Sequence, residues 1–213
     1  ITDEGNIVKA ADEHYVKLAK LLNLERGRTK SNPTTGKLLV EDTSDLLEGD
    51  KKTLYRSGTG ILLYMAVYRP DCQYAIKLLA QKMARPTETA FDELKHLVRY
   101  VLGTRSYAIL IRRRTSGQQV TTLEPYSDSD WAGNKVHRRS TTSVHIMWNG
   151  SLLASFVRTQ SAVSLSSSEA EFYALVAAVI EGKYFQAILA FSDVHLHLRH
   201  GGERRRRQGE TPS

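Results

Sequence analysis

The chain has 213 residues, 41% of them hydrophobic, which suits one or two packed domains. Thirty Lys and Arg against 23 Asp and Glu leave a net charge of +7 and a pI near 9.5, favouring an anionic partner, with nucleic acid ahead of membrane. The single cysteine, Cys72, excludes an intramolecular disulfide and a cysteine zinc cluster; it lies in an apolar helical run and reads as a core residue in a reducing compartment. No apolar stretch approaching 18 residues is visible, so no membrane span is expected, and no signal peptide precedes the first element. A start at Ile1 rather than Met reads as a piece of something longer.

In chain order, residues 13–24 carry apolar positions at helical spacing. Residues 27–36 are loop, and 43–52, acidic then basic, form a linker. Three helices follow. The first covers 57–68 and breaks at Arg69-Pro70, because a residue before proline is pushed out of the helical region. Asp71 is placed to cap the second, which runs to about residue 84. Thr87 caps the third, whose Phe91, Leu94, Leu97, Val98 and Val101 share a face, and Gly103 stops it.

Beyond residue 105 the period changes from helix to strand. Strands are expected over 106–112 and 120–126, then over 140–148 and 152–157 around the hairpin dipeptide Asn149-Gly150. A helix of about 22 residues follows, meeting the sheet through some combination of Ala170, Tyr173, Leu175, Val176 and Ala177. A last short strand is expected over 194–199. Residues 200–213, with four consecutive arginines, show no core-forming pattern and read as disordered.

Two acidic segments carry the chemistry. The first, Tyr126-Ser127-Asp128-Ser129-Asp130-Trp131-Ala132-Gly133, ends a strand with two acids on one face, and a strand end is a rigid mount for metal ligation. As a plain structural feature the same acids are turn formers. The second, Ser166-Ser167-Ser168-Glu169-Ala170-Glu171-Phe172, opens the long helix. Its serines offer an N-cap and its acids favour the helix dipole; two positions apart, only one of the two Glu residues turns toward the sheet. A strand-end carboxylate facing a helix-borne one holds divalent metal for phosphodiester chemistry. Lys135, His137, Arg138 and Arg139 follow the first segment, and Arg158, Thr159 and Gln160 precede the second; such residues beside a metal suit a phosphate backbone, or else a solvated loop. His195 and His197 share a strand face without an assigned carboxylate partner.

Taken in order, YSDSDWAG, RRSTTS, the hairpin and SLSSSEAEFYAL resemble the ribonuclease H region of copia-type retrotransposon Pol polyproteins. The upstream YRSGTGILLYMAVYRPDCQYAIKLLAQKMARPTETAFDELKHLVRYVLGT resembles the segment after the reverse transcriptase palm, and the likeness runs from about residue 13 to about 190. It implies an α+β or α/β architecture in four parts: a reverse transcriptase thumb-like tail and linker (1–52), a helical connection (53–105), a ribonuclease H-like mixed sheet with a long packing helix, lacking its last strand and helix (106–199), and an Arg-rich tail (200–213). The resemblance also implies hydrolysis of RNA in RNA·DNA hybrids by two Mg²⁺ or Mn²⁺ ions. Asp128 and Glu171 match family metal ligands, Lys135, Arg138, Arg139, Arg158 and Gln160 would contact nucleic acid, and the remainder of the polyprotein would be a partner. It further implies a cytoplasmic particle or the nucleus as location.

Four carboxylates hold the metal in that family, and two departures, at the third and the fourth of them, set the expectation of impaired hydrolysis. The family's third carboxylate follows the fourth strand, where this chain has His200-Gly201-Gly202, while Asp193 stands at that strand's other end. The polymerase's paired-Asp motif is absent from residues 1–120, so polymerisation is not expected. The metal would be weakly held, and an incomplete sheet should be marginally stable and prone to aggregate. The alternatives are a non-catalytic nucleic-acid-binding module and an inactive transposon relic.

Overall fold

A computed structural model describes residues 4–113, 121–191 and 196–198, with Thr121 and 196–198 given by backbone alone. The expected acid-free position at His200, together with Asp193, His195 and the arginine run, lies outside the described residues.

The first half is helical. Helix α1 (Asp12–Leu21) ends where Asn23 turns left-handed at φ 53°. Helix α2 (Gly49–Met65) starts eight residues before the expected position, because Tyr55, Gly58, Thr59, Leu62 and Met65 already form its buried stripe and the polar Asp50, Lys51 and Lys52 are simply its exposed or half-exposed first turn. The expected linker is likewise partly packed: Leu47 is buried and its N–H donates to the Pro86 carbonyl. A single 3-10 turn at Pro70–Cys72 leads into α3 (Gln73–Gln81). Asp71 does not cap it. Its carboxylate instead takes two hydrogen bonds from the buried Arg69 (3.0 and 2.8 Å) and one from the Tyr100 hydroxyl (2.9 Å), so satisfying a buried guanidinium outweighs capping. Thr87 does cap α4 (Glu88–Gly103), its hydroxyl accepting from the Ala90 N–H. These helices enclose one apolar cluster that includes Tyr15, Leu18, Tyr55, Leu62, Cys72 and Leu94.

Strand β1 (Gly5–Val8), not foreseen, pairs antiparallel with β2 (Ile109–Arg112). The strand expected over 106–112 therefore joins a two-stranded ribbon with the chain's start and is not part of the larger sheet.

That sheet contains β3 (Thr121–Asp130), β4 (Thr141–Trp148), β5 (Ser151–Thr159) and β6 (Leu196–Leu198), in spatial order β5-β4-β3-β6. The β4–β5 turn is the expected Asn149-Gly150, both at positive φ (49° and 74°), as a tight hairpin requires. β3–β4 and β4–β5 are antiparallel, while β6 joins β3 in parallel after a crossover by α5 (Ser167–Phe191).

Strand alternation gives the sheet two faces. Leu123, Val144, Ile146, Ala154 and Phe156 face α5. On the other face α3 crosses β5: Gln73 Nε2 donates to the Ser155 carbonyl (3.0 Å), Gln81 to the Thr159 hydroxyl (3.0 Å), and Lys77 to the Thr141 hydroxyl (2.9 Å). The helical half and the sheet thus share an interface.

Helix α5 meets the sheet through Ala170, Ala174, Ala178 and Gly182. Tyr173, Leu175 and Val176, expected at that interface, are exposed. The reason is steric: Phe156 and Pro125 already fill the space, and a Cβ on Gly182 would stand 3.2 Å from Pro125 Cγ. The same helix corrects the reading of apolar runs, since it is long and apolar enough to cross a membrane, with a mean hydropathy of 1.5 over 18 residues.

Candidate functional site at the end of strand β3

The site starts from a helix cap. Ser166 accepts from the Glu169 N–H (3.1 Å), and the Glu169 carboxylate reaches back to the Leu165 N–H (2.7 Å). This reciprocal bonding fixes the start of α5 and commits Glu169 to it. Glu171 is left to point at the sheet, where its Oε1 accepts from the Ser129 N–H at 3.3 Å.

Ser129 lies between the two acids of β3. Through Asp130 the β3–β4 register is regular, with Asp128 opposite Ser143 and Asp130 opposite Thr141. Alternation therefore puts Asp128 and Asp130 on the α3 side, away from Leu123 and α5. Asp130 confirms the direction by accepting from the Tyr74 hydroxyl of α3 at 3.0 Å. Asp128 is exposed, and among the described residues its side chain has no partner. Glu171 thus reaches the backbone next to Asp128 from the opposite side of the sheet. Among the described residues, no group of three His, Cys, Asp or Glu converges as a metal-binding set.

Asp130 is boxed in. The turn after it puts Ala132 at φ 49° and folds the Asp130 carboxylate over Gly133, where a side chain would collide with it. Lys77 reaches the same corner; burial lowers its pKa, and the nearby Asp130 charge partly opposes that. Burial and the Asp130 charge raise the pKa of Tyr74.

Of the expected nucleic-acid contacts, Lys135, Arg138 and Arg139 sit on an exposed loop beginning at the buried Asn134, whose side chain takes the N–H groups of Val136 and His137. Arg138 is left-handed (φ 56°). Burial, with Lys77 and Arg139, depresses the His137 pKa. Arg158 is on β5, two strands from β3, roughly 10 Å away at ordinary strand spacing. It packs 4.1 Å over the Phe156 ring and pairs with Glu181 at 3.5 Å. A crevice of about 200 Å³ opens there, between β5 and α5. Gln160 is 8% exposed, and its amide is fully engaged: Nε2 donates to the Thr142 hydroxyl (3.0 Å) and the Ala170 carbonyl (2.9 Å), and Oε1 accepts from Ser164 (2.9 Å). It is a strut between β4 and α5. Sequence reasoning missed Tyr74 and Lys77, which carry no local signal because their partners lie 56 and 64 residues away.

Comparison with known proteins places this strand-end geometry in context. The chain is 30% identical over 169 residues, 78% of its length, to the retrovirus-related Pol polyprotein from transposon RE1 of Arabidopsis thaliana, of which that match covers 11%. It is 35% identical over 127 residues to an uncharacterized mitochondrial protein of the same plant, covering 60% of this chain and 51% of that one. The chain belongs to the copia-type Pol polyproteins. A secreted RxLR effector protein of Plasmopara viticola is also similar, 36% identical over 62% of this chain and 90% of its own length. The Pol chain spans about half the length of the mitochondrial relative and about a tenth of the RE1 polyprotein. No family model and no solved structure matches it.

Proposed function

We propose that this Pol segment is a ribonuclease H-like module whose inherited chemistry is divalent-metal-dependent hydrolysis of the RNA strand of RNA·DNA hybrids, reduced here to slow or no cleavage. One observation carries the reading: the carboxylate of the helix-borne Glu171 accepts from the N–H of Ser129, the residue after Asp128, at the end of β3. The strand order β5-β4-β3-β6, with its single parallel pair, supports it.

The donor set argues for impairment. Two Mg²⁺ or Mn²⁺ ions bring four positive charges and need anionic oxygens on one side of a cleft. Asp128 and Glu171 approach from opposite sides of the sheet, Glu171 already accepts a backbone hydrogen bond, and Asp130 is held by Tyr74. This set does not fit a two-metal centre.

A non-catalytic reading, in which the module holds nucleic acid, is favoured by the exposed Lys135, Arg138 and Arg139 beside the strand end. Cleavage of a labelled hybrid in Mg²⁺ and then Mn²⁺, compared with Asp128→Asn, separates the two. Cleavage at an efficient rate that Asp128→Asn abolishes overturns the impairment. No cleavage, with hybrid affinity that falls steeply with salt and ignores Asp128→Asn, establishes the binding module. Neither activity in folded protein refutes the binding module and leaves the inherited site inactive, as in a transposon relic.

A further inference from the structure

Helix α5 is apolar on both sides, with small residues inside and large ones outside. Directly opposite the buried Ala170, Ala174, Ala178 and Gly182, at 100° per residue, stand Phe172, Val176, Ile180 and Tyr184. Tyr173 and Phe191 fall on the same outer arc, which spans about 120°. Their exposures run from 39% for Val176 to 94% for Phe191. Taking about 150–250 Å² for a large side chain, these six residues expose roughly 550–900 Å². Monomers rarely leave more than about 300–600 Å² in one patch.

We propose that this seam is a self-association surface, on which α5 of a second copy of the chain packs antiparallel. Three observations select that occupant. The exposed area is of the order of the roughly 800 Å² that each partner contributes to a standard stable interface. From Phe172 to Tyr184 the seam runs about three and a half turns with large apolar side chains, interrupted on the same arc by Lys183, and a two-fold contact of such a face closes at two copies. An antiparallel arrangement also opposes the two helix dipoles. A membrane surface fits less well: α5 carries Glu169, Glu171 and Glu181 against Lys183 alone, and its reverse face is covered by the sheet, whereas an interfacial helix presents a basic polar face.

The full chain is examined by sedimentation velocity at about 50 µM, above the micromolar dissociation constants at the weak end for such an area. The wild type is expected as a dimer, and Ile180→Lys as a monomer with the same far-ultraviolet circular dichroism. Tyr184→Lys, at a ring 59% exposed, gives a second reading if Ile180→Lys fails to fold. A monomeric wild type overturns the proposal, as does a dimer that survives in both folded variants, or open-ended oligomers. A monomer that co-floats with phosphatidylcholine or phosphatidylserine vesicles overturns it in favour of a lipid surface.

Discussion

Replacing Gln160 by Ala separates a structural from a binding role for this residue. In the fold its amide makes three buried hydrogen bonds, at 3.0, 2.9 and 2.9 Å, to Thr142, Ala170 and Ser164. Truncation leaves the Ser164 hydroxyl, the Thr142 hydroxyl and the Ala170 carbonyl without this partner. At about 1 kcal/mol net for each bond, the loss is about 3 kcal/mol. For a domain with a urea slope of about 2–3 kcal/mol/M, the unfolding midpoint should fall by about 1–1.5 M. Ala170 precedes Glu171, so the substitution also loosens the mount of the candidate acid. The assay is urea unfolding followed by circular dichroism, with salt-dependent hybrid binding measured on the same preparations below the transition. A midpoint unchanged within error, together with weakened hybrid binding, would refute the strut and restore Gln160 as a nucleic-acid contact.

Two further outcomes follow from the same geometry. Gly133→Ala should cost about 1–3 kcal/mol by overpacking against the Asp130 carboxylate, and much less in an Asp130→Ala background; equal costs in a double-mutant cycle measured by urea unfolding would show that the two do not touch. Burial lowers the pKa of His145 below its unfolded value near 6.5, so the unfolded state binds more protons; stability from this group is complete above about pH 6.5 and is lost as pH falls through it. Urea midpoints should therefore drop between about pH 7.5 and 5.5, and His145→Gln should flatten that dependence.

The local grammar of the chain was legible. Thr87 and Ser166 cap helices as their residue types predict, and Asn149-Gly150 makes its hairpin, because each feature is decided within a few residues. What local pattern could not show was decided at a distance. Strand β1 is four residues whose partner lies about a hundred positions away. The early turns of α2 look like a linker until Tyr55 is seen donating to the Leu79 carbonyl at 2.7 Å. In α5 both faces are apolar, so periodicity carries no information about which one turns inward; side-chain volume decides, and the alanines win the crowded side.

The candidate site shows the same limit more sharply. The i, i+2 spacing of Asp128 and Asp130 correctly places them on one face of a strand, and the two-residue spacing of Glu169 and Glu171 correctly lets only one of them reach the sheet. Neither rule says which face of the sheet α5 covers. That choice is made by Leu123, Pro125 and Ile146, whose burial draws the helix to their side and leaves the aspartates on the other. There α3 supplies Tyr74 and Lys77, so Asp130 becomes part of a joint between the two halves of the fold. The same apolar contacts that build the sheet therefore send Asp128 to the face opposite the one from which Glu171 reaches the Ser129 N–H, so acids two residues apart on a strand and on a helix cap are sorted by which face the sheet buries.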